Sequence, residues 1–96
     1  MKAVIKKVGC EAMPIEIDNT LKALQDAVGG YIETITVATD IVIICNEEGV
    51  ICGLPFNCEL CGHKFFGDIL FVGVDGDDFG DITYTDDDVL RMFFRG

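Results

Sequence analysis

Apolar residues are concentrated in the middle of this chain, and their spacing there is that of strands. Between Gly29 and Asn57 the sequence reads GGYIETITVATDIVIICNEEGVICGLPFN, and two stretches of it, Tyr31 to Ala38 and Ile41 to Cys45, are rich in β-branched residues that fit a pleated surface. Thr39 and Asp40 alone separate them, which predicts a hairpin. Asn46-Glu47-Glu48-Gly49 then has the length of a four-residue hairpin loop, with Gly49 free to take a positive φ, so a third strand is expected from Val50 and the segment reads as a meander. Ile41, Val42, Ile43, Ile44 and Cys45 do not alternate with polar residues, so both faces of that strand should be covered and the strand should be central.

The flanking sequence supplies the remaining elements. Lys2 to Val8 alternates imperfectly and predicts a strand, and Pro14 opens a short extended piece, Ile15 to Ile17, expected to pair with it at an edge. Asp18 or Asn19 is placed to cap a helix from Thr20 to Val28, on which Leu21, Leu24, Ala27 and Val28 form one stripe. Gly29 follows where a left-handed residue ends a helix. Pro55 to Lys64 has no regular pattern. Phe65 to Val74 is apolar on both sides in its second half, as an inner strand would be, and Asp75 to Asp81 reads as a polar loop. Thr85 before Asp86-Asp87-Asp88 puts a capping hydroxyl and three carboxylates at the positive end of a last helix running to Phe94, docked by Val89, Leu90, Phe93 and Phe94. The expectation is a single α+β domain, residues 1–96. Its sheet is mostly antiparallel, of five or six strands, with one packed helix and a C-terminal helix at an edge or on the same side.

Composition narrows the classes of function. A chain of 96 residues can remove roughly two thirds of its unfolded surface from water and needs no staple to fold. No apolar run approaches the roughly 20 residues of a membrane span, and MKAVIKKVGC holds only a three-residue apolar segment, so neither a membrane nor an export signal is indicated and a cytoplasmic location is expected. Seventeen acidic residues against seven basic ones give a net charge of −10, which repels nucleic acid and anionic lipid and favours basic partners. There is no P-loop, no G-x-G-x-x-G and no basic stripe.

Three groups of residues carry candidate chemistry. Cys58-Glu59-Leu60-Cys61-Gly62-His63 is a C-x-x-C followed by glycine and histidine; with Cys52 or His63 completing the shell it can hold zinc, but a second close pair of ligands is missing. Reduced loop thiols without a ligand, or a redox dithiol, are the competing readings, and Cys45 falls in a strand centre as a core residue. The seven carboxylates Asp75, Asp77, Asp78, Asp81, Asp86, Asp87 and Asp88 match no EF-hand spacing; if they share one side they form a negative patch able to meet a basic groove, the alternative being a charged face that keeps the domain soluble. Glu33 interrupts the apolar face of Tyr31, Ile35 and Val37, and belongs either at the sheet rim or in a pocket beside Asn57 and Asp68. His63, the single histidine, has no nucleophile elbow to serve.

At Gly29-Gly30-Tyr31-Ile32-Glu33, Ile44-Cys45-Asn46-Glu47-Glu48-Gly49, Gly53-Leu54-Pro55-Phe56-Asn57 and Gly67-Asp68-Ile69-Leu70-Phe71-Val72-Gly73, the chain resembles a family of small domains of unknown function encoded mainly by bacteriophages, plasmids and integrative elements of bacteria. The resemblance covers nearly the whole chain. It implies a genetic setting more than a reaction, one in which small acidic proteins are often inhibitors of host defence. The function expected is therefore non-enzymatic: binding of a basic host or element-encoded protein through the acidic C-terminal region. The alternatives are a small-ligand module using Glu33, Asn57 and Asp68, or a zinc-stapled recognition loop.

Overall fold

The computed structural model describes residues 1–94; Arg95 and Gly96 lie outside the described residues. Its strands are β1 (Lys2–Lys6), β2 (Met13–Glu16), β3 (Ile32–Ala38), β4 (Ile41–Asn46), β5 (Phe56–Leu60), β6 (His63–Phe66), β7 (Ile69–Asp75) and β8 (Asp78–Gly80). Helix α1 is Leu21–Val28, and α2, Asp86–Val89, continues as a wide π-helical turn, Leu90–Phe94. The main sheet runs β2-β1-β7-β4-β3 with β8 paired to the far end of β7, and all its pairings are antiparallel. Strands β5 and β6 form a separate two-stranded sheet. The architecture is α+β, as the sequence leads one to expect.

Burial explains why β4 and β7 sit in the middle. Every residue of β4 is buried, and Ile69 to Val72 of β7 are shielded completely, so these strands need neighbours on both edges and cover on both faces. Their alternation then divides the core in two. Ile41, Ile43, Cys45, Ile69 and Phe71 point to one face, where they meet Leu60 and Phe65 from the β5–β6 hairpin and Val89 from α2. Val42, Ile44, Leu70 and Val72 point to the other, against Leu24 and Val28 of α1. The C-terminal helix thus covers the face opposite α1, not the same side or an edge. Phe71 is what holds it there, since Phe93 stacks on it at 5.5 Å and Phe94 meets it edge-on at 6.2 Å.

Local chemistry sets the boundaries. Thr20, rather than Asp18 or Asn19, caps α1: its Oγ1 accepts from Ala23 N at 3.2 Å. Leu21, on the first turn, stays exposed while Leu24 and Val28 carry the packing. Gly29 ends the helix at φ 81°, its N–H returned to the Gln25 carbonyl at 2.8 Å.

The predicted third strand of the meander is absent. After β4 the chain makes a wide turn, closed by Cys52 N to Glu48 O at 2.8 Å and Leu54 N to Gly49 O at 2.9 Å, that leaves Val50 and Ile51 in solvent. Gly49 does not take a positive φ; its role is steric, because a Cβ there would stand 2.9 Å from the Phe66 carbonyl oxygen. The apparently irregular Pro55 to Lys64 holds β5 and the start of β6. Cys61 and Gly62, both at positive φ (50° and 80°), make the two-residue turn between them. The acidic stretch after Val74 is also a hairpin: Asp75 pairs with Asp78 across Gly76-Asp77, with Gly76 at φ 62°. From β8 the chain crosses the sheet to reach α2. Gly73 makes room for that crossing, since a Cβ on it would fall 2.2 Å from the Asp81 carbonyl oxygen.

Candidate functional site

The antiparallel pairings bring four chain segments to one end of the sheet. Lys2 opposes Glu16, Val4 opposes Phe71, and Val42 opposes Val72, so the start of β1, the end of β2, the start of β4 and the end of β7 lie together. The β7–β8 turn therefore carries Asp75, Asp77 and Asp78 outward at the end where Asp40 precedes β4. Asp86, at the start of α2, lines a groove there of about 550 Å³ together with Lys2, Val4, Ile15, Glu16 and Ile82. The groove is apolar along its floor and charged at its rim.

The seven predicted carboxylates do not all remain available. Asp81 accepts the Lys2 backbone N–H at 2.8 Å and fixes the crossing segment to β1. Asp88 completes a capping box, its Oδ2 accepting from Thr85 N at 3.0 Å while Thr85 Oγ1 accepts from Asp88 N at 3.1 Å, and Arg91 pairs with its other oxygen. The Thr85 N–H first, then the Arg91 guanidinium, hold the Asp88 carboxyl below its usual range. Asp75, Asp77, Asp78, Asp86 and Asp87 take part in no ion pair among the described residues. Asp40 accepts from the Tyr84 hydroxyl at 2.8 Å, a bond that raises the tyrosine's pKa and ties the β3–β4 turn to the segment before α2.

The cysteines and the histidine are spread over the hairpin and the neighbouring turn. Cys58 lies on β5, half-buried against the core; Cys61 is in the turn, His63 opens β6, and Cys52 is exposed in the wide turn after β4. Burial pushes the Cys58 thiol up, opposed by Lys6. Among the described residues no three histidine, cysteine, aspartate or glutamate side chains gather into a metal-holding group. Cys45 is pushed up to about 11, by burial first and by neighbouring Glu33 second, so its thiol stays protonated at neutral pH.

Glu33, Asn57 and Asp68 are not brought together. Asn57 Nδ2 donates to the carbonyls of Lys6 and Gly67, each at 2.8 Å, and its Oδ1 accepts from Lys6 Nζ at 3.0 Å. Asp68 accepts from Val8 N at 2.9 Å. Both side chains fasten the loop after β1 and the approach to β7. Glu33 stands on β3, with β4 and β7 between it and β1, and lines a recess of about 270 Å³ whose walls are the turn after β4 and strand β6.

The profile of the family described as "Domain of unknown function (DUF3846)" matches residues 1–94. The chain belongs to this family. No curated protein and no solved structure matches it. No helix of this DUF3846 chain is long and apolar enough to cross a membrane among the described residues.

One residue of this DUF3846 chain that sequence reasoning passed over is Asn46. It is buried, its Nδ2 donating to the Val28 carbonyl at 3.1 Å and its Oδ1 accepting from Glu48 N at 2.7 Å. Its signal in the sequence is the asparagine directly after an unbroken apolar strand, a position read there as the first residue of a loop.

Proposed function

We propose that this protein is a non-enzymatic interaction domain that binds a basic protein surface through the acidic end of its sheet. The observation that carries the reading is that Asp75, Asp77, Asp78, Asp86 and Asp87, free of ion pairs among the described residues, share this end of the sheet with a groove that Asp86 lines beside the apolar Val4, Ile15 and Ile82. A partner surface of lysine and arginine with apolar side chains between them meets both features. The raised pKa of Cys45 and the spread of the other thiols support binding over nucleophilic chemistry. The likeness to domains of phages and plasmids supports a mobile-element origin, a cytoplasmic setting and a basic host or element-encoded target, such as a component of host defence.

Capture from a host lysate by the full chain identifies the partner, and two perturbations test the mode of binding. Raising the salt from low to physiological levels should weaken the complex, because exposed charges are screened over about 8–10 Å. Replacing Asp75, Asp77, Asp78, Asp86 and Asp87 together by Asn should weaken it by about tenfold or more at low salt, by lost rim electrostatics. Asp88 is left intact so that the helix cap survives. A complex indifferent to salt and to the five replacements would remove this reading.

A further inference from the structure

The two borders of the main sheet are guarded differently. On one side, β2 is four residues long and contains Pro14, whose missing N–H blunts an edge. On the other, β3 has seven residues, IETITVA, with no proline, no lysine and Glu33 as its one charge. Glu47 N donates to Tyr31 O at 2.8 Å, which makes 31 and 47 a hydrogen-bonded pair. The alternation of an antiparallel ladder then assigns Glu33 and Ile35 to β4 as well and turns the N–H and C=O groups of Ile32, Thr34 and Thr36 outward along the open border.

Beside that border is the recess of about 270 Å³ containing Glu33, Ile35, Glu47, Glu48 and Phe65. Val50 and Ile51, on its lining, are 69% and 83% exposed, an unusual placement for two adjacent β-branched aliphatic residues. Glu33, Glu47 and Glu48 make no ion pair among the described residues, and Lys64 and His63 stand on the wall formed by β6. Three carboxylates and one lysine thus share the lining with Ile35, Val50 and Phe65.

We propose that β3 and this recess together take an extended basic segment of a partner protein, which adds to the sheet as a further strand and lodges a lysine or arginine side chain in the recess. Main-chain bonds to Ile32, Thr34 and Thr36 supply the pairing. The aliphatic stem of the cation packs on Ile35 and Val50 while its charge meets Glu33, Glu47 and Glu48. A second copy of the chain is disfavoured as occupant because each copy carries a net charge of −10. The inference rests on the reading of the protein as a binder of basic partners, but puts the contact on a different region from the acidic end.

The test uses the full chain and a peptide of alternating lysine and valine, followed by amide chemical shifts at low salt. Shifts are expected from Ile32 to Thr36 and from Glu47 to Ile51. Methylating alternate peptide nitrogens on the same peptide should weaken binding by about tenfold, because it removes main-chain donors without touching the protein. The triple variant Glu33→Gln, Glu47→Gln, Glu48→Gln should weaken it comparably. Shifts confined to Asp75 through Asp88, with the methylated peptide bound as well, would overturn this inference and leave the acidic-end reading standing. Absence of binding to the unmodified peptide overturns it too, while the five-aspartate variant judges the other reading separately. A dimeric free protein whose Ile32, Thr34 and Thr36 amides are already protected would give the border to a second copy and likewise overturn it.

Discussion

The two faces of the sheet are covered by different means. One is closed by α1, a single local element with a threonine cap at its start and a glycine at its end, which contributes Leu24 and Val28. The other is assembled from two segments distant in sequence, the β5–β6 hairpin and the helix after Thr85, which contribute to one buried cluster with Phe71 and Ile69. A local cover is specified by its own periodicity and caps; an assembled cover depends on the core residues that anchor its parts. Phe71, without solvent exposure and in contact with both Phe93 and Phe94, anchors the C-terminal part.

Substitutions can separate the two covers. Phe71→Ala should cost about 3–5 kcal/mol and release the C-terminal helix, because a large cavity opens beneath Phe93 and Phe94. Leu24→Ala, on the α1 face, should cost about 2–4 kcal/mol with the β5–β6 hairpin undisturbed. Urea unfolding gives the losses and amide exchange shows which cover opens; α1 and the C-terminal helix loosening together in both variants would mean that the faces are not independent. Next in size is Asn46→Ala, expected to cost about 1–3 kcal/mol because it strips the Val28 carbonyl of a buried donor, with exchange quickened at Glu48.

The smallest effect concerns the start of α2. Thr85→Ala should remove about 1 kcal/mol by loss of the cap. Asp88 has a folded-state pKa below its unfolded one, so its contribution is fully present above the ordinary carboxylate pKa and disappears as pH falls through the lower folded value. In acid titrations of stability, Asp88→Asn should flatten that part of the curve; an unchanged profile would show that the capping carboxylate is not coupled to folding.

What could be read from the chain divides along the same line. Leu24, Val28 and Gly29 announce α1 by spacing and by the need for a left-handed residue, and the unbroken apolar runs of β4 and β7 announce central strands, because only strands buried on both faces dispense with alternation. Thr85 and the acidic triplet announce the last helix through capping chemistry, and Phe93 and Phe94 its docking, but not the face it docks on, which tertiary packing decides. The β5–β6 hairpin was hidden because Phe56 and Cys58 are only partly covered, and Cys61-Gly62, which make a tight turn, resemble a metal knuckle in spacing. Val50 and Ile51 look like a strand by propensity, yet the turn closed by Glu48 and Gly49 keeps them off the sheet. The acidic end was visible as composition, but which aspartates are spent on the fold follows only from the partners of Asp81 and Asp88. Asn57 and Asp68 look like ligands in sequence for the same property that makes them fasteners: each offers a short polar group where backbone needs a partner.

The bridge made by Asn46 links the end of α1 to the turn after β4. One side-chain amide bonds both the last turn of α1 and the wall that bounds the Glu33 recess, so its loss would leave the Val28 carbonyl and the Glu48 N–H without that partner at once.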